Sequence, residues 1–172
     1  FLDYAIPASR PKRRLADWAA HGSTAFIGAV FLDSLRFKFT NAPKTQIIFG
    51  DLDNWAATFG ARGLFAETGL FSQYVIGGAE LLASTILIVS VAFRPYRCLR
   101  SAGALLSLAI ISGASSFHLF TPRGFNVEGD GGALFHTACA VWVVALALLV
   151  TRAGERDELV RRLRRFFSRS AN

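Results

Sequence analysis

The sequence S-S-F-H-L-F-T-P-R-G-F-N-V-E-G-D-G-G-A-L-F-H-T-A-C-A occupies residues 115–140 and joins two apolar runs. The first run ends at Phe120 and the second begins at Ala133, with a short polar turn rich in glycine between them. His118 and His136 lie at matching distances from this turn, one on each side. If both runs cross a membrane, the two imidazoles lie at similar depth near the same surface, and the hairpin defines one end of the fold.

Four stretches are apolar enough and long enough to span a bilayer as a helix, which needs about 20 residues. They cover residues 17–35, 71–93, 101–120 and 131–151. Charged residues make up only 18% of the chain, whereas a soluble domain carries about 25%. Residues 81–93 and 138–150 contain no charge, although a helix of a water-soluble bundle needs a polar side. We therefore predict an all-α fold, a bundle of four transmembrane helices at residues 17–151, rather than a soluble four-helix bundle.

The basic residues predict how these helices are oriented, because Lys and Arg favour the cytoplasmic side of a membrane. Fourteen of the nineteen basic residues fall in the N-terminal segment 1–16, in the loop between the second and third spans, or in the tail 152–172. The other five, Arg36 and Lys38 among them, fall on the opposite side. We expect a multi-pass protein of the bacterial inner membrane with both termini in the cytoplasm.

The long first outer loop, residues 37–70, is rich in aromatic residues and glycine. Within it, Asp51, Asp53 and Asn54 precede apolar residues in the way that a helix cap does. We expect a short helix at Asp53–Phe59 on the outer surface of the membrane. An irregular loop packed on the end of the bundle fits the pattern equally well.

The basic tail 152–172 has an amphipathic pattern, in which apolar residues recur at helical spacing and arginines fill the other faces. We expect a helix at residues 154–168 that lies on the cytoplasmic membrane surface and contacts anionic lipid headgroups. Docking on a partner protein is the alternative. The net charge of +7 could also attract nucleic acid, but most of the cations flank apolar runs, so we expect no nucleic-acid partner. The expected membrane-surface residues are Arg161, Arg162, Arg164, Arg165, Phe166 and Phe167.

Ionisable residues inside a membrane span are costly and mark candidate functional positions. Glu80 lies within the second span and has no partner near it in the sequence. Gln73, Glu80 and Ser84 share one face of that helix, which should turn towards the bundle interior. A protonated Glu80 that hydrogen-bonds to a neighbouring helix is the alternative. Asp33 and Arg36 are three residues apart near the outer end of the first span and can form an ion pair.

Polar stripes on the four spans predict a cavity in the outer leaflet. Asp130, Gly131 and Gly132 are typical of a helix start, and the amides there could receive an anion or a quinone carbonyl. The candidate cavity residues are Asp33, Arg36, Gln73, Glu80, Ser84, Ser115, His118, Asp130 and His136.

His118 and His136 also suggest a haem or chlorophyll site, because imidazole ligates iron and the magnesium of pigments. No C-x-x-C-H motif accompanies them, and a third ligand for zinc is lacking, so we expect no metal site as the first interpretation. Cys98 and Cys139 fall in different environments and are expected to be free thiols. The chain has no P-loop, nucleophile elbow or dinucleotide fingerprint, so we expect no catalytic residues.

Four short motifs carry a resemblance to a known family. They are F-L-D-S-L-R-F-K-F at 31–39, I-G-G-A-E-L-L-A-S at 76–84, S-S-F-H-L-F-T-P at 115–122 and G-D-G-G at 129–132. Together with four predicted spans and a long first outer loop, they resemble the DoxX-like superfamily of small membrane proteins, and within it the YkgB-type family. The likeness covers about residues 18–151.

The resemblance implies a membrane subunit linked to quinone or redox chemistry, and it does not identify catalytic residues. The leading hypothesis is therefore an accessory, non-catalytic subunit of a redox complex that binds lipid or quinone in the outer cavity and contacts other membrane subunits. A haem- or chlorophyll-binding subunit that uses His118 and His136 is the first alternative. A small transporter or proton relay through Glu80 is the second.

Overall fold

The computed structural model describes residues 10–122, 124–127 and 129–170, and within these ranges it contains helices and no strand. Residues 1–9 of the predicted N-terminal segment lie outside the described residues. A 3₁₀ turn at Arg94–Tyr96 lies between the third and fourth helices. The helices are α1 (Arg10–Phe39), α2 (Pro43–Ala57), α3 (Gln73–Ala92), α4 (Leu99–Phe120), α5 (Ala133–Thr151) and α6 (Ala153–Ser170).

Four of these helices, α1, α3, α4 and α5, pack side by side as a bundle. Each contacts two main neighbours, in the order α1, α3, α4, α5 and back to α1. Ile27, Phe31, Leu87 and Val141 are completely or almost completely buried in the shared core. We call the end with residues 37–73 and 120–133 the loop end, and the opposite end, which carries α6, the tail end.

Three of the described helices, α3, α4 and α5, are long and apolar enough to cross a membrane. They correspond to the predicted spans 71–93, 101–120 and 131–151. The helix α1 covers the predicted span 17–35 but is not one of the three, so the count of four spans stays a proposal. The predicted all-α fold is confirmed for the described residues.

The surface of these helices reverses the pattern of a water-soluble bundle. Leu82, Leu105 and Val143 are more than half exposed on the outside, while Ser84 and Ser107 are fully buried inside. Lipid chains, and not water, suit such an outer surface, and small residues at the contacts let membrane helices approach closely. The distribution indicates a membrane protein.

The loop predicted at residues 37–70 contains more helix than its sequence indicates. The structure has a 15-residue helix that begins at Pro43, ten residues before the predicted start at Asp53. Proline suits the first helical position because its fixed φ matches the helix and its missing N–H is not needed there. Asp53 is therefore not a cap: its Oδ1 accepts hydrogen bonds from the amides of Gly63 and Phe65, at 2.8 and 3.1 Å, and fixes the following loop. The predicted start was wrong for this reason.

Ion pairs hold the tail end together. Arg152, at the end of α5, donates to Asp17 in α1 at 2.7 Å. Arg100, in the first turn of α4, is buried and donates to Glu155 in α6 at 3.1 Å. These contacts tie α6 and the start of α1 to the same face of the bundle.

Candidate functional site

A buried ion pair joins α1 to α3 near the loop end. The Nζ of Lys38 donates to both carboxylate oxygens of Glu80, each at 2.9 Å. The two side chains are only 14% and 7% exposed. Ser34, one turn before Lys38 on α1, accepts a further hydrogen bond from the same ammonium. The charge inside this helix contact is thus neutralised within the pair.

The face of α3 beside Glu80 packs directly against the end of α1. Gly77 lies one turn before Glu80, and a Cβ placed on it would be 3.5 Å from the aliphatic chain of Lys38 and 3.4 Å from the ring of Phe39. These are ordinary van der Waals distances, so the two helices are in close contact here. Ser84, one turn after Glu80, donates its hydroxyl to the Glu80 backbone carbonyl at 2.8 Å and is fully buried.

Sequence reasoning missed Lys38 as a site residue. Glu80 has a partner after all, but it lies 42 residues away in the sequence, so no local spacing could reveal it. The distribution of basic residues indicates only that Lys38 lies on the side opposite the termini. The available signal was that Lys38 and Glu80 each stand in one of the motifs behind the family resemblance, at 31–39 and 76–84.

Gln73 belongs to a polar network above this ion pair. Its amide donates to the Asn41 side chain and its carbonyl accepts from Gln46 at 2.8 Å. The Tyr74 hydroxyl donates to the same Asn41 oxygen at 2.7 Å. Asn41 has a φ of +52°, in the left-handed region that asparagine tolerates better than most residues. The network fixes the turn between α1 and α2 against α3.

A small polar pocket of about 240 Å³ lies beside this network, between α2 and the loop that follows it. Of the predicted cavity residues, only Gln73 lines it. Of its two acidic residues, Asp53 already accepts two backbone amides, and Glu67 accepts from the Tyr74 hydroxyl at 3.4 Å. The lining residues are Gln46, Phe49, Gly50, Asp53, Asn54, Phe65, Ala66, Glu67 and Gln73.

The predicted ion pair between Asp33 and Arg36 is present, with 3.0 Å between Arg36 Nε and Asp33 Oδ1. Both side chains are well exposed, at 61% and 67%, and the guanidinium lies 4.5 Å from the centre of the Phe37 ring. The pair therefore lies on the outside of the bundle near the loop end, and does not line an interior cavity.

The two histidines flank one aromatic ring at the loop end. Phe135 has its ring centre 5.7 Å from that of His118 and 5.9 Å from that of His136. His118 Nδ1 donates to the Gly124 carbonyl at 3.0 Å, and His136 Nδ1 donates to the Gly132 carbonyl at 2.7 Å. Because a carbonyl only accepts, Nδ1 is the donor in both contacts, and Nε2 makes neither of them.

Gly132 makes the His136 conformation possible. Its φ is +84°, and a Cβ there would lie 3.2 Å from the imidazole.

Among the described residues, no group of three or more His, Cys, Asp or Glu could hold a metal ion. Cys98 and Cys139 are free.

Asp130 fills the site that the start of α5 was expected to offer to an anion. Its carboxylate accepts hydrogen bonds from the amides of Val127, Gly132 and Leu134, at 2.9, 2.9 and 3.0 Å. Burial opposes the ionisation of Asp130, but these three amides outweigh it and lower its pKa. The expectation of open amides at Gly131 and Gly132 was wrong: Asp130 takes the amide of Gly132, and the Asn126 side chain takes that of Gly131 at 3.0 Å.

A second, larger cleft of about 490 Å³ opens between α4 and α5, in the halves of these helices nearest the loop end. Its wall is mainly apolar and includes the ring of Phe135, on which His118 packs. Trp142 spans the cleft, since its indole N–H donates to Ser112 on the facing helix at 3.0 Å. The lining residues are Ser112, Ser115, Ser116, Leu119, Phe135, Cys139, Trp142 and Val143.

Ser115 differs from the serine beside it. Ser116 donates its hydroxyl to the Ser112 backbone carbonyl at 2.7 Å, the usual arrangement for serine inside a helix. The Ser115 hydroxyl is buried and has no hydrogen-bond partner among the described residues. A buried hydroxyl without a partner is unfavourable by about 1–3 kcal/mol. Because Ser115 itself lines the cleft, a rotation of its side chain would bring this hydroxyl to a ligand there.

The nine predicted cavity residues thus lie in several separate places. Glu80, Ser84 and Gln73 belong to the α1–α3 contact, Ser115 to the α4–α5 cleft, and the histidines and Asp130 to the turn between α4 and α5. Asp33 and Arg36 lie outside. The four polar stripes do not form a single cavity, because α1 and α3 use their polar groups on one another.

Comparison of the chain with protein-family models, with curated proteins and with solved structures found no match in any of the three. The resemblance to the DoxX-like superfamily rests on the four short motifs alone and stays a prediction.

Proposed function

We propose that this protein is a four-span accessory subunit of a membrane redox complex and that it binds a quinone or a lipid in the α4–α5 cleft. The fourth span is α1, which has 30 residues and is therefore about 45 Å long. It packs along α3 and α5, and Phe26 and Leu32 are exposed on its outer side. Packing beside apolar helices and an apolar outer face support a membrane position for α1.

The Ser115 hydroxyl is the observation that carries the ligand proposal. Once the Ser115 side chain turns towards the cleft, an apolar wall and a hydroxyl without a partner among the described residues suit a molecule that is mostly apolar and has a carbonyl or ester oxygen. A quinone ring with its isoprenoid tail and a lipid both fit this description. Because the cleft opens on the outside of the bundle, either can enter from the bilayer.

The redox setting and the other subunits come from the family resemblance. The charge distribution supports cytoplasmic termini, since the tail end carries most of the basic residues, and an inner bacterial membrane is the setting that the resemblance implies. On this orientation the cleft lies in the outer leaflet. The exposed Asp33–Arg36 pair lies near the same end and offers charge to a neighbouring subunit.

Cys139 provides the test, because it lines the cleft while the other thiol, Cys98, is buried at the tail end. The rate of Cys139 alkylation by N-ethylmaleimide is measured in detergent with and without decylubiquinone or added phospholipid, in a Cys98→Ser background. We expect either additive, or both, to slow the reaction in proportion to occupancy. An unchanged rate at saturating levels of both, together with purified native protein that contains no quinone and no other subunit, contradicts the proposal.

A pigment- or haem-binding subunit is the second candidate function, and one observation favours it. Both His118 and His136 hold their Nδ1 proton on a backbone carbonyl and so present Nε2 as a possible axial ligand, the arrangement common in metal-ligating histidines. A visible absorption spectrum of natively purified protein distinguishes the two candidates. A haem or chlorophyll band that disappears in His118→Leu or His136→Leu supports the second, and a colourless protein ends it.

A further inference from the structure

We infer that α6 consists of a docked half and an overhanging half, and that the overhanging half binds anionic lipid headgroups at the membrane surface. The inference rests on the membrane position of α3, α4 and α5 and is independent of the cleft. The docked half is residues 153–162, and the overhanging half is residues 163–170.

Two contacts define the docked half. Glu155 accepts from Arg100 of α4 at 3.1 Å, and Arg162 donates to the backbone carbonyl of Pro95 at 3.0 Å. Pro95 lies in the turn between α3 and α4, and Arg100 lies in the first turn of α4. The two contacts therefore hold residues 155–162 of α6 against this corner of the tail end.

The overhanging half follows the Pro95 contact, and residues 163–168 in it are all exposed. It is fully basic, because residues 159–170 contain no Asp or Glu. The acid nearest to it, Glu158, is already used: it accepts from Arg161 and Arg162 at 2.9 and 2.8 Å. These arginines lower the pKa of Glu158 by hydrogen bonding and charge, so it stays ionised and does not neutralise the arginines that follow.

The overhanging half combines charge with apolar surface. Leu163 is about half exposed and Phe167 is 66% exposed, and both Arg164 and Arg165 are exposed between them. Arginine heads together with a phenylalanine that enters the headgroup region are typical of helices that lie on anionic membranes. In water alone, this apolar surface would be unfavourable.

The docking point places this half at the level of the bilayer surface. Pro95 lies between Phe93 and Tyr96, whose rings are in contact and are about half exposed at the end of α3. Exposed aromatic residues at the ends of spanning helices mark the interface between lipid and water. A helix half that leaves the bundle at this level, with cations and aromatic rings exposed, faces headgroups. This position favours a lipid surface over an acidic protein partner.

Backbone amide hydrogen exchange in nanodiscs tests the inference. The full chain is reconstituted in phosphatidylcholine alone and in phosphatidylcholine with phosphatidylglycerol. We expect exchange in residues 163–170 to slow only with phosphatidylglycerol, by about fivefold for each arginine that contacts headgroups, and high salt to reverse this. The docked half, 153–162, should exchange equally slowly in both. Slow exchange of α3, α4 and α5 in both lipids checks the membrane position separately.

A matched pair of variants completes the test. Arg164→Gln with Arg165→Gln should remove most of the effect of phosphatidylglycerol, whereas Arg156→Gln, an exposed arginine on the docked half, should leave it intact. Equal exchange of residues 163–170 in the two lipids overturns the inference, whether it is fast, as for a helix end in water, or slow, as for an end held by protein. Loss of the effect in Arg156→Gln also overturns it, since any positive charge would then suffice.

Discussion

The α1–α3 contact and the α4–α5 cleft both lie towards the loop end, and they treat their polar groups in opposite ways. In the first, the charges of Lys38 and Glu80 are buried and satisfy each other completely. In the second, the Ser115 side chain lies beside an apolar opening, and its neutral hydroxyl is buried with no hydrogen-bond partner among the described residues. The region with the stronger charges is closed, and the region with the weaker polar group is open.

This difference shows how to choose between buried polar groups: a group without a hydrogen-bond partner is a better indicator of a ligand site than a paired one. A charge inside a membrane helix is costly and therefore conspicuous in a sequence, but a pair as complete as Lys38–Glu80 serves to join two helices. An unsatisfied hydroxyl is inconspicuous in a sequence, yet it is the group that a bound molecule can satisfy. The cleft, and not the ion pair, is accordingly the candidate binding site.

The largest expected effect comes from breaking the ion pair. Lys38→Met leaves the Glu80 carboxylate buried without a partner, and loss of one member of a buried pair costs about 3–5 kcal/mol. The free energy of unfolding in mixed micelles measures this. The double variant Lys38→Met with Glu80→Gln should recover most of the loss, because no charge remains. A double variant that is as unstable as the single one, or that loses quinone binding while folded, would give the pair a role beyond joining helices.

Arg100 is an intermediate case: it is buried, but only one nitrogen of its guanidinium has a partner among the described residues, which is Glu155. Glu155→Ala should cost about 2–3 kcal/mol, less than the loss of Lys38, because Glu155 is partly exposed and water can reach the site. Asp157→Ala, on the same helix and paired loosely with Arg156 at 3.6 Å, is the control and should change little. Equal effects of the two substitutions would mean that α6 is not docked through Arg100.

Asp130 fixes the first turn of α5, which carries the cleft residue Phe135. Asp130→Asn should cost about 1 kcal/mol at neutral pH, because one carboxylate oxygen is replaced by an NH2 group that cannot accept a backbone amide. Because the folded pKa lies below the unfolded value of about 3.9, this stabilisation is fully present above that value and is lost as the pH falls through the folded pKa. The stability difference between wild type and variant should therefore be constant from about pH 5 to 8 and shrink in stronger acid. A difference that grows in acid would contradict this role for Asp130.

The smallest effect is expected for the exposed pair Asp33–Arg36. Asp33→Asn should change the free energy of unfolding by less than about 0.5 kcal/mol, since water screens such a pair. Asp33→Asn is the exposed control on α1 for the buried substitution Lys38→Met. If Asp33→Asn lowered the free energy of unfolding as much as Lys38→Met does, the exposure of a charged side chain would not predict its contribution to the stability of this bundle.

The sequence predicted the helical fold well, because an apolar run of about 20 residues remains recognisable whatever individual residues it contains. The prediction that the polar face of α3 turns inward was also correct, since Gln73, Glu80 and Ser84 are all buried. Residue spacing along one helix is sufficient for such a prediction. The longer helix α2 was missed because Asp53 and Asn54 look like a cap when the preceding Pro43 is overlooked.

The candidate site was less predictable, because its residues meet through packing between helices. Lys38 reaches Glu80 from a neighbouring helix, and nothing in either segment alone indicates the other. The difference between Ser115 and Ser116 is also invisible in the sequence, where the two are adjacent and identical. It depends on which hydroxyl reaches a carbonyl of its own helix.

That pair of serines provides the most direct test of the central claim, that the α4–α5 cleft binds a quinone or a lipid through Ser115. The binding of decylubiquinone and of a short-chain phospholipid is measured by titration for wild type, Ser115→Ala and Ser116→Ala. We predict that Ser115→Ala weakens the binding of whichever ligand occupies the cleft by about three- to tenfold, the value of one hydrogen bond, while Ser116→Ala binds as wild type does. Equal affinities for all three proteins, or an absence of saturable binding in the wild type, would contradict the claim.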